Sequence, residues 1–333
     1  MGILLMNDTD EESSHFGCMR VMRSIREALG QRGYGSLPSL LVGTDWKNNA
    51  HEKAKIDAAQ VLVINGEGTL HHGKRKGLWL LEAGERVRKN GGKVALINAL
   101  WQQNPKEWAG LASRFDLIYC RDSRSASELS NQSGIDVAWL GDLSMFQSLN
   151  IPSQNRKGVT VSCSVNRDVE KRLANFATST GSSYVPVTPQ LKHVSVHTRG
   201  LKRTLRKAYV RYIEKRFLAK HPGTRLLKND IDYLNELCQR ELLVTGRFHA
   251  VCMAILAGTP FVAIKSNSWK IEALLADIGL NPDRIQSEDA LNANLLGKDW
   301  SFTERELAAI DASLQLWRAD GEIMFDRIAD LTN

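Results

Sequence analysis

Short apolar runs alternate with amphipathic stretches through the first half of the chain. The runs predict strands at 3–7, 40–43, 61–65, 94–99, 117–121 and 137–141, with helical patterns between most of them. Strands this uniformly apolar are buried on both faces, the mark of a parallel sheet covered by helices. Around 151–155 the composition turns polar, and the alternation then restarts with strands predicted at 159–164, 183–187, 225–227, 242–245 and 261–265. The reading is therefore α/β: two Rossmann-like domains, 1–150 and 157–302, facing a cleft at the carboxyl ends of their sheets. Residues 303–333 read as C-terminal helices packing back across the domains. No repeat of solenoid period and no low-complexity segment interrupts the pattern.

Composition narrows the class without changing it. A chain of 333 residues with 43% hydrophobic and 24% charged residues suits a soluble globular protein of two domains. The apolar start at 3–6 is followed at once by Asp8, Asp10, Glu11 and Glu12, so neither a signal peptide nor a membrane span is expected, and a cytoplasmic location is. The five cysteines are an odd number and no two are spaced C-x-x-C, which argues against a disulfide framework and a thiolate zinc site. No metal site is expected. The formal charge of +7 is concentrated: 192–225 carries eleven basic residues against Glu214 alone, leaving the remainder slightly acidic.

Candidate chemistry gathers where predicted strands run into loops. After 61–65 come Gly66, Glu67, Gly68 and the tandem His71-His72, more glycines and polar side chains than a turn needs. The third glycine of a dinucleotide fingerprint is absent, so a nicotinamide or flavin site is not favoured. After 242–245 come Gly246-Arg247-Phe248-His249, where a helix is expected to start near Arg247. Arg247 there supplies a fork for carboxylate or phosphate, and His249 supplies a proton that titrates near neutrality. Taken alone, each has a structural alternative: Arg247 as a cap and His249 as a satisfied core residue. One strand later, Ser266-Asn267-Ser268-Trp269-Lys270 offers a second anion contact, although for any single lysine a solvated helix residue is the better reading. Ser14-His15-Phe16-Gly17 opens a helix expected at 19–29, and Arg121-Asp122 follows the strand at 117–121.

Taken together, Ser14-His15-Phe16-Gly17, Asn65-Gly66-Glu67-Gly68-Thr69, Tyr119-Cys120-Arg121-Asp122, and Gly246-Arg247-Phe248-His249-Ala250 followed by Gly258-Thr259-Pro260 and Lys270 resemble the polysaccharide pyruvyl transferase family. The resemblance implies a GT-B-like architecture and transfer of pyruvate from phosphoenolpyruvate to two hydroxyls of a sugar as a cyclic ketal, on a cell-surface polysaccharide or its lipid-linked precursor. It implies that Arg247 binds donor phosphate or carboxylate and that His249 is the general acid. No cofactor beyond the co-substrate is implied. Lys270, Ser268, Asn267 and Arg121 are the further donor candidates. His15, Gly17, Asn65, Gly66, Gly68, His71 and His72 are candidates for the acceptor, with Glu67 as base. The family often carries Leu where this chain has Phe248. Two other readings stand beside it: a GT-B-like glycosyltransferase using a nucleotide sugar, and a non-catalytic protein docking on membrane or nucleic acid.

The basic segment 201–220 reads LKRTLRKAYVRYIEKRFLAK, with Leu201, Leu205, Ala208, Tyr209, Tyr212, Ile213 and Phe217 on one helical stripe. An ordinary domain helix with a solvated basic face is expected first. Next comes a helix on the anionic inner face of the cytoplasmic membrane. No nucleic-acid recognition motif is present.

Overall fold

Every residue of Val61–Asn65 is buried, as is every residue of Ile3–Asp8. Such strands need cover on both faces and neighbours on both edges. The computed structural model, which describes residues 2–10, 15–149, 155–192, 194, 198, 200–265 and 268–333, shows how they obtain them. Ser14, Asn267 and most of the polar linker at 151–155 lie outside the described residues.

Six strands form one parallel sheet: β1 (Ile3–Asp8), β2 (Ser39–Leu41), β3 (Val61–Asn65), β4 (Lys93–Ala99), β5 (Leu117–Cys120) and β6 (Ala138–Trp139), in the order β2-β1-β3-β4-β5-β6. A second parallel sheet holds β7 (Val159–Ser164), β8 (Ser183–Tyr184), β9 (Leu242–Gly246), β10 (Phe261–Ile264) and β11 (Ile285–Gln286), in the order β11-β10-β9-β7-β8. The two orders are alike. In each, the connection reverses beside the first strand, between β1 and β3 and again between β7 and β9. Open α/β sheets take ligands at the carboxyl ends of the strands flanking such a reversal. The loop bearing Glu67 leaves β3, and Arg247 leaves β9.

The chain divides into two compact units. One comprises Met1–Asp10, Val21–Gln147 and Ala312–Asn333, and the other Glu11–Arg20 and Ser148–Asp311. The first turn of the Phe16–Gln31 helix thus belongs with the second sheet, and most of the Glu304–Asp330 helix with the first. That C-terminal helix binds within the first unit through Arg318, whose Nε donates to the Phe146 carbonyl at 3.2 Å, and Arg327, whose Nη1 donates to the Tyr119 hydroxyl at 3.2 Å.

Two elements differ from the sequence reading. The strand expected at 225–227 does not form. Arg225 N–H bonds the Tyr184 carbonyl at 2.9 Å, but only Thr224 bridges to β8. The Arg225 side chain then turns to Glu236 at 2.7 Å, and Asn229 caps the Asp230–Cys238 helix by accepting from Asp232 N–H, which commits the backbone to a helix instead. The edge strand β11 went unforeseen, because two residues carry no readable alternation.

Candidate functional site

The second unit assembles its site from three chain segments. Strand β9 ends at Gly246, where a Cβ would lie 2.6 Å from Ser164 Oγ, so only glycine lets β9 and β7 approach there. Thr245 Oγ1 then accepts from Arg247 N–H at 3.1 Å, and the Phe248–Leu256 helix begins with Arg247 in an extended conformation at its N-cap. Among the described residues no side chain caps that helix, nor the Lys270–Ile278 helix that follows β10. Uncapped first turns leave backbone N–H groups and the positive end of the helix dipole available to an anion.

Arg247, the buried His249, the buried Ser268 and Lys270 stand at these two helix starts. Lys270 Nζ lies 5.9 Å from the centroid of the Phe248 ring. Burial opposes the Arg247 charge, but contact with Cys163 and the field of Glu170 more than offset it, and the guanidinium pKa is raised. Among the described residues its buried Nε–H has no hydrogen-bond partner, and neither has the Ser268 hydroxyl. Buried donors without partners are costly and mark a place built for a ligand. Glu170 responds to the same environment: burial raises its pKa, against the pull of Arg247, Lys192 and Arg167.

His15 and Gly17, expected among the acceptor contacts, stand in this second unit against His249. The His15 and His249 ring centroids are 5.0 Å apart at an interplanar angle of 64°. The first turn of the Phe16–Gln31 helix is held here by Phe16 N–H on the Val187 carbonyl at 2.9 Å and by the buried Arg20–Asp230 ion pair at 3.3 Å. Burial holds the His15 pKa well below its ordinary 6.5, and electrostatic interaction with His249, Arg247 and Lys270 lowers it further. His15 is therefore neutral at pH 7, accepts at Nδ1 from Gly17 N–H (3.2 Å), and carries its own proton on Nε2.

Ligand atoms of His15, Cys18 and His249 lie within 4.8 Å of one another, a donor set chemically suited to a zinc-like ion. The cationic field that depresses His15 works against a divalent cation in the same place. Cys18 and Glu170 are parts of the site that sequence reasoning missed. A lone cysteine and a helical glutamate carry no pattern that separates them from core and surface residues.

In the first unit the loop after β3 is tightly tied. A Cβ on Gly66 would lie 2.6 Å from Ala99 Cα, so β4 demands glycine there. Gly68, His72 and Gly73 all take positive φ values, of 61°, 56° and 57°. Glu67 is buried; its Oε2 accepts from Thr9 Oγ1 at 3.2 Å and from Asn65 Nδ2 at 3.5 Å. Asn7 Nδ2 reaches the Asn65 carbonyl at 2.7 Å and Thr69 Oγ1 at 3.2 Å, a network not foreseen from the sequence. His71 is buried with Nε2 2.8 Å from Lys74 Nζ, and His72 beside it is exposed. Arg121 also lies in this unit, where it is buried and ion-paired with Asp142 at 3.4 Å.

Such a chain is an α/β protein of two Rossmann-like units, one of which presents arginine, lysine and histidine at open helix starts beside a strand reversal. A family model for polysaccharide pyruvyl transferase matches residues 11–268, and the chain belongs to that family. No match was found among curated proteins. Among solved structures, the S. aureus MnaA–UDP co-structure is similar with a TM-score of 0.57 at 13% identity, over 94% of this chain and 91% of that one. The UDP-GlcNAc 2-epimerase from Neisseria meningitidis bound to UDP-GlcNAc is similar with a TM-score of 0.51 at 10% identity, over 95% of this chain and 99% of that one. At such identities the likeness concerns the fold, which is GT-B-like. No helix among the described residues is long and apolar enough to cross a membrane.

Proposed function

We propose that the chain transfers the pyruvyl group of phosphoenolpyruvate to two hydroxyls of one sugar, closing a cyclic ketal on a cell-surface polysaccharide or its lipid-linked precursor. Supporting this is the convergence, within one unit, of Arg247 with its unpartnered Nε–H, Lys270, the unpartnered Ser268 hydroxyl and His249 at two uncapped helix starts. A trianionic enol phosphate needs cationic forks for its phosphate and carboxylate and a proton for its methylene carbon. Arg247, Lys270 and Ser268 hold the donor. His249 gives its proton to the methylene, which becomes the methyl group, and the neighbouring carbon turns oxocarbenium-like. One sugar hydroxyl adds to that carbon, inorganic phosphate leaves, and the second hydroxyl closes the ring. The two hydroxyl protons end on phosphate and on the base that restores His249. Neutral His15 donates from Nε2 without adding a charge that would compete for the anion. Arg121 keeps to Asp142 in this reading.

From the first unit, Glu67 is assigned as the base toward the acceptor hydroxyl, with Asn65, His71 and His72 as hydrogen-bonding groups for a carbohydrate. Glu67→Gln is expected to lower turnover by about 10²-fold or more while phosphoenolpyruvate binding is kept; unchanged turnover would remove Glu67 from that role. A lipid-linked acceptor would put this work at the inner face of the cytoplasmic membrane.

The competing reading is a nucleotide-sugar glycosyltransferase, since proteins of similar fold carry UDP and UDP-GlcNAc. Titration calorimetry with phosphoenolpyruvate, with UDP and CMP as competitors, separates the two. Phosphoenolpyruvate is expected to bind, the nucleotides to leave that binding unchanged, and Arg247→Ala to weaken it by about 10²-fold, the range for a charged group losing its buried partner. Nucleotide binding with no response to phosphoenolpyruvate would overturn the proposal.

A further inference from the structure

The Gly200–Lys220 helix does not pack as its periodicity promised. Of the apolar stripe, Ile213 and Phe217 turn toward the second unit, but Leu201, Leu205, Tyr209 and Tyr212 are 75%, 61%, 44% and 56% exposed. The inward side is fixed. Val210 is buried, Phe217 packs with ring centroids 5.5 Å from Tyr184 and 4.5 Å from His221, and Glu214 Oε1 accepts from Leu191 N–H at 3.0 Å. The exposed four recur at intervals of four, four and three residues, so they form one continuous line on the side away from Val210. Basic residues surround that line: exposed Arg211 and Lys215 on one flank, exposed Lys202 and Arg206 on the other, and exposed Arg216 at its carboxyl-terminal end. Two of them lie over the tyrosines, Arg206 at 5.5 Å from the Tyr209 centroid and Arg216 at 5.8 Å from that of Tyr212.

We infer that this face docks the protein on an anionic phospholipid membrane. A bilayer interface is the partner that satisfies both halves of the pattern: leucines sink into the boundary between headgroups and acyl chains, tyrosines lie at headgroup level, and lysines and arginines extend to anionic headgroups. A second copy of the chain would set one strongly basic helix against another. A nucleic acid would meet the bracketing charges but leave the two leucines against phosphate and water. Because the helix is too polar to span, the association is peripheral and reversible. The inference is independent of the identity of the donor.

The test is sedimentation of the full chain with vesicles of phosphatidylcholine alone and of phosphatidylcholine mixed with phosphatidylglycerol, with no sugar or phosphoenolpyruvate present. Binding is expected only to the mixed vesicles, weakening as salt is raised. Leu201→Ser/Leu205→Ser and Arg206→Glu/Arg216→Glu, all at exposed positions, are each expected to reduce the partition coefficient by about tenfold or more. Three results would overturn the inference: no vesicle binding by the wild type, retention on nucleic acid or self-association in place of vesicle binding, or vesicle binding that the Leu→Ser pair leaves unchanged. The last would mean a general attraction of basic surface for lipid, with no docking face.

Discussion

Replacing His249 by Gln is expected to lower turnover by about 10²–10⁴-fold, the range for removing a positioned general acid, while phosphoenolpyruvate binding stays within about threefold of wild type. His249 is the second residue of the Phe248–Leu256 helix, buried, two residues after the N-cap Arg247 and with His15 packed edge-on against its ring. Glutamine can occupy the volume and donate a hydrogen bond, but it cannot deliver a proton to carbon. A group acting on the chemical step alone reduces kcat and leaves donor affinity in place. If phosphoenolpyruvate binding fell in parallel with turnover, His249 would be a binding residue and the acid would have to be sought elsewhere. If turnover survived, the mechanism above would be wrong at its first step.

How far the residues themselves announced this site depends on the kind of interaction. Strands β3 and β9 were legible because both are buried along their whole length, which makes each an unbroken apolar run ending in glycine and polar residues. The Arg247–His249 segment was legible for the same reason: one strand end, one helix start and two candidate side chains within a few residues. Strand order was not legible, since β7 pairs with β9 and β8 through tertiary contacts that leave no local trace. Nor was the grouping of His15 with His249, two residues far apart in the chain that meet because Phe16 bonds Val187 and Arg20 pairs with Asp230. The basic helix shows the limit most clearly. Its period was readable, but which part of the stripe faces the protein is settled by Val210 and Phe217, which look no different in sequence from Leu201 and Leu205.

The pairing of His15 and His249 across one small residue leads to the second large effect, at Gly17. A Cβ at this position would lie 2.7 Å from His249 Nδ1 and closer still to the histidine Cβ and Cγ, below the 3.0 Å that Cβ atoms keep. Gly17 sits inside the Phe16–Gln31 helix and does not take a positive φ, so backbone conformation does not require glycine and helix propensity favours alanine by about 1 kcal/mol. The histidine is thus the evident reason alanine is disfavoured at this position. Gly17→Ala must displace either the helix or the imidazole, at about 1–3 kcal/mol of overpacking. A catalytic group moved by about 1 Å loses on the order of 10²-fold in rate, so turnover is expected to fall by about that factor. Gly30→Ala, in the same helix with nothing within 4 Å of its added methyl, is expected to leave turnover unchanged. Kinetics of the double variant carry the decisive comparison. Once His249 is Gln there is no acid left to misplace, so adding Gly17→Ala should cost little more in rate, and the two losses should fail to add. Full additivity would mean that Gly17 acts through the donor-binding residues or the stability of the unit, and that His249 is not positioned by the first turn of this helix.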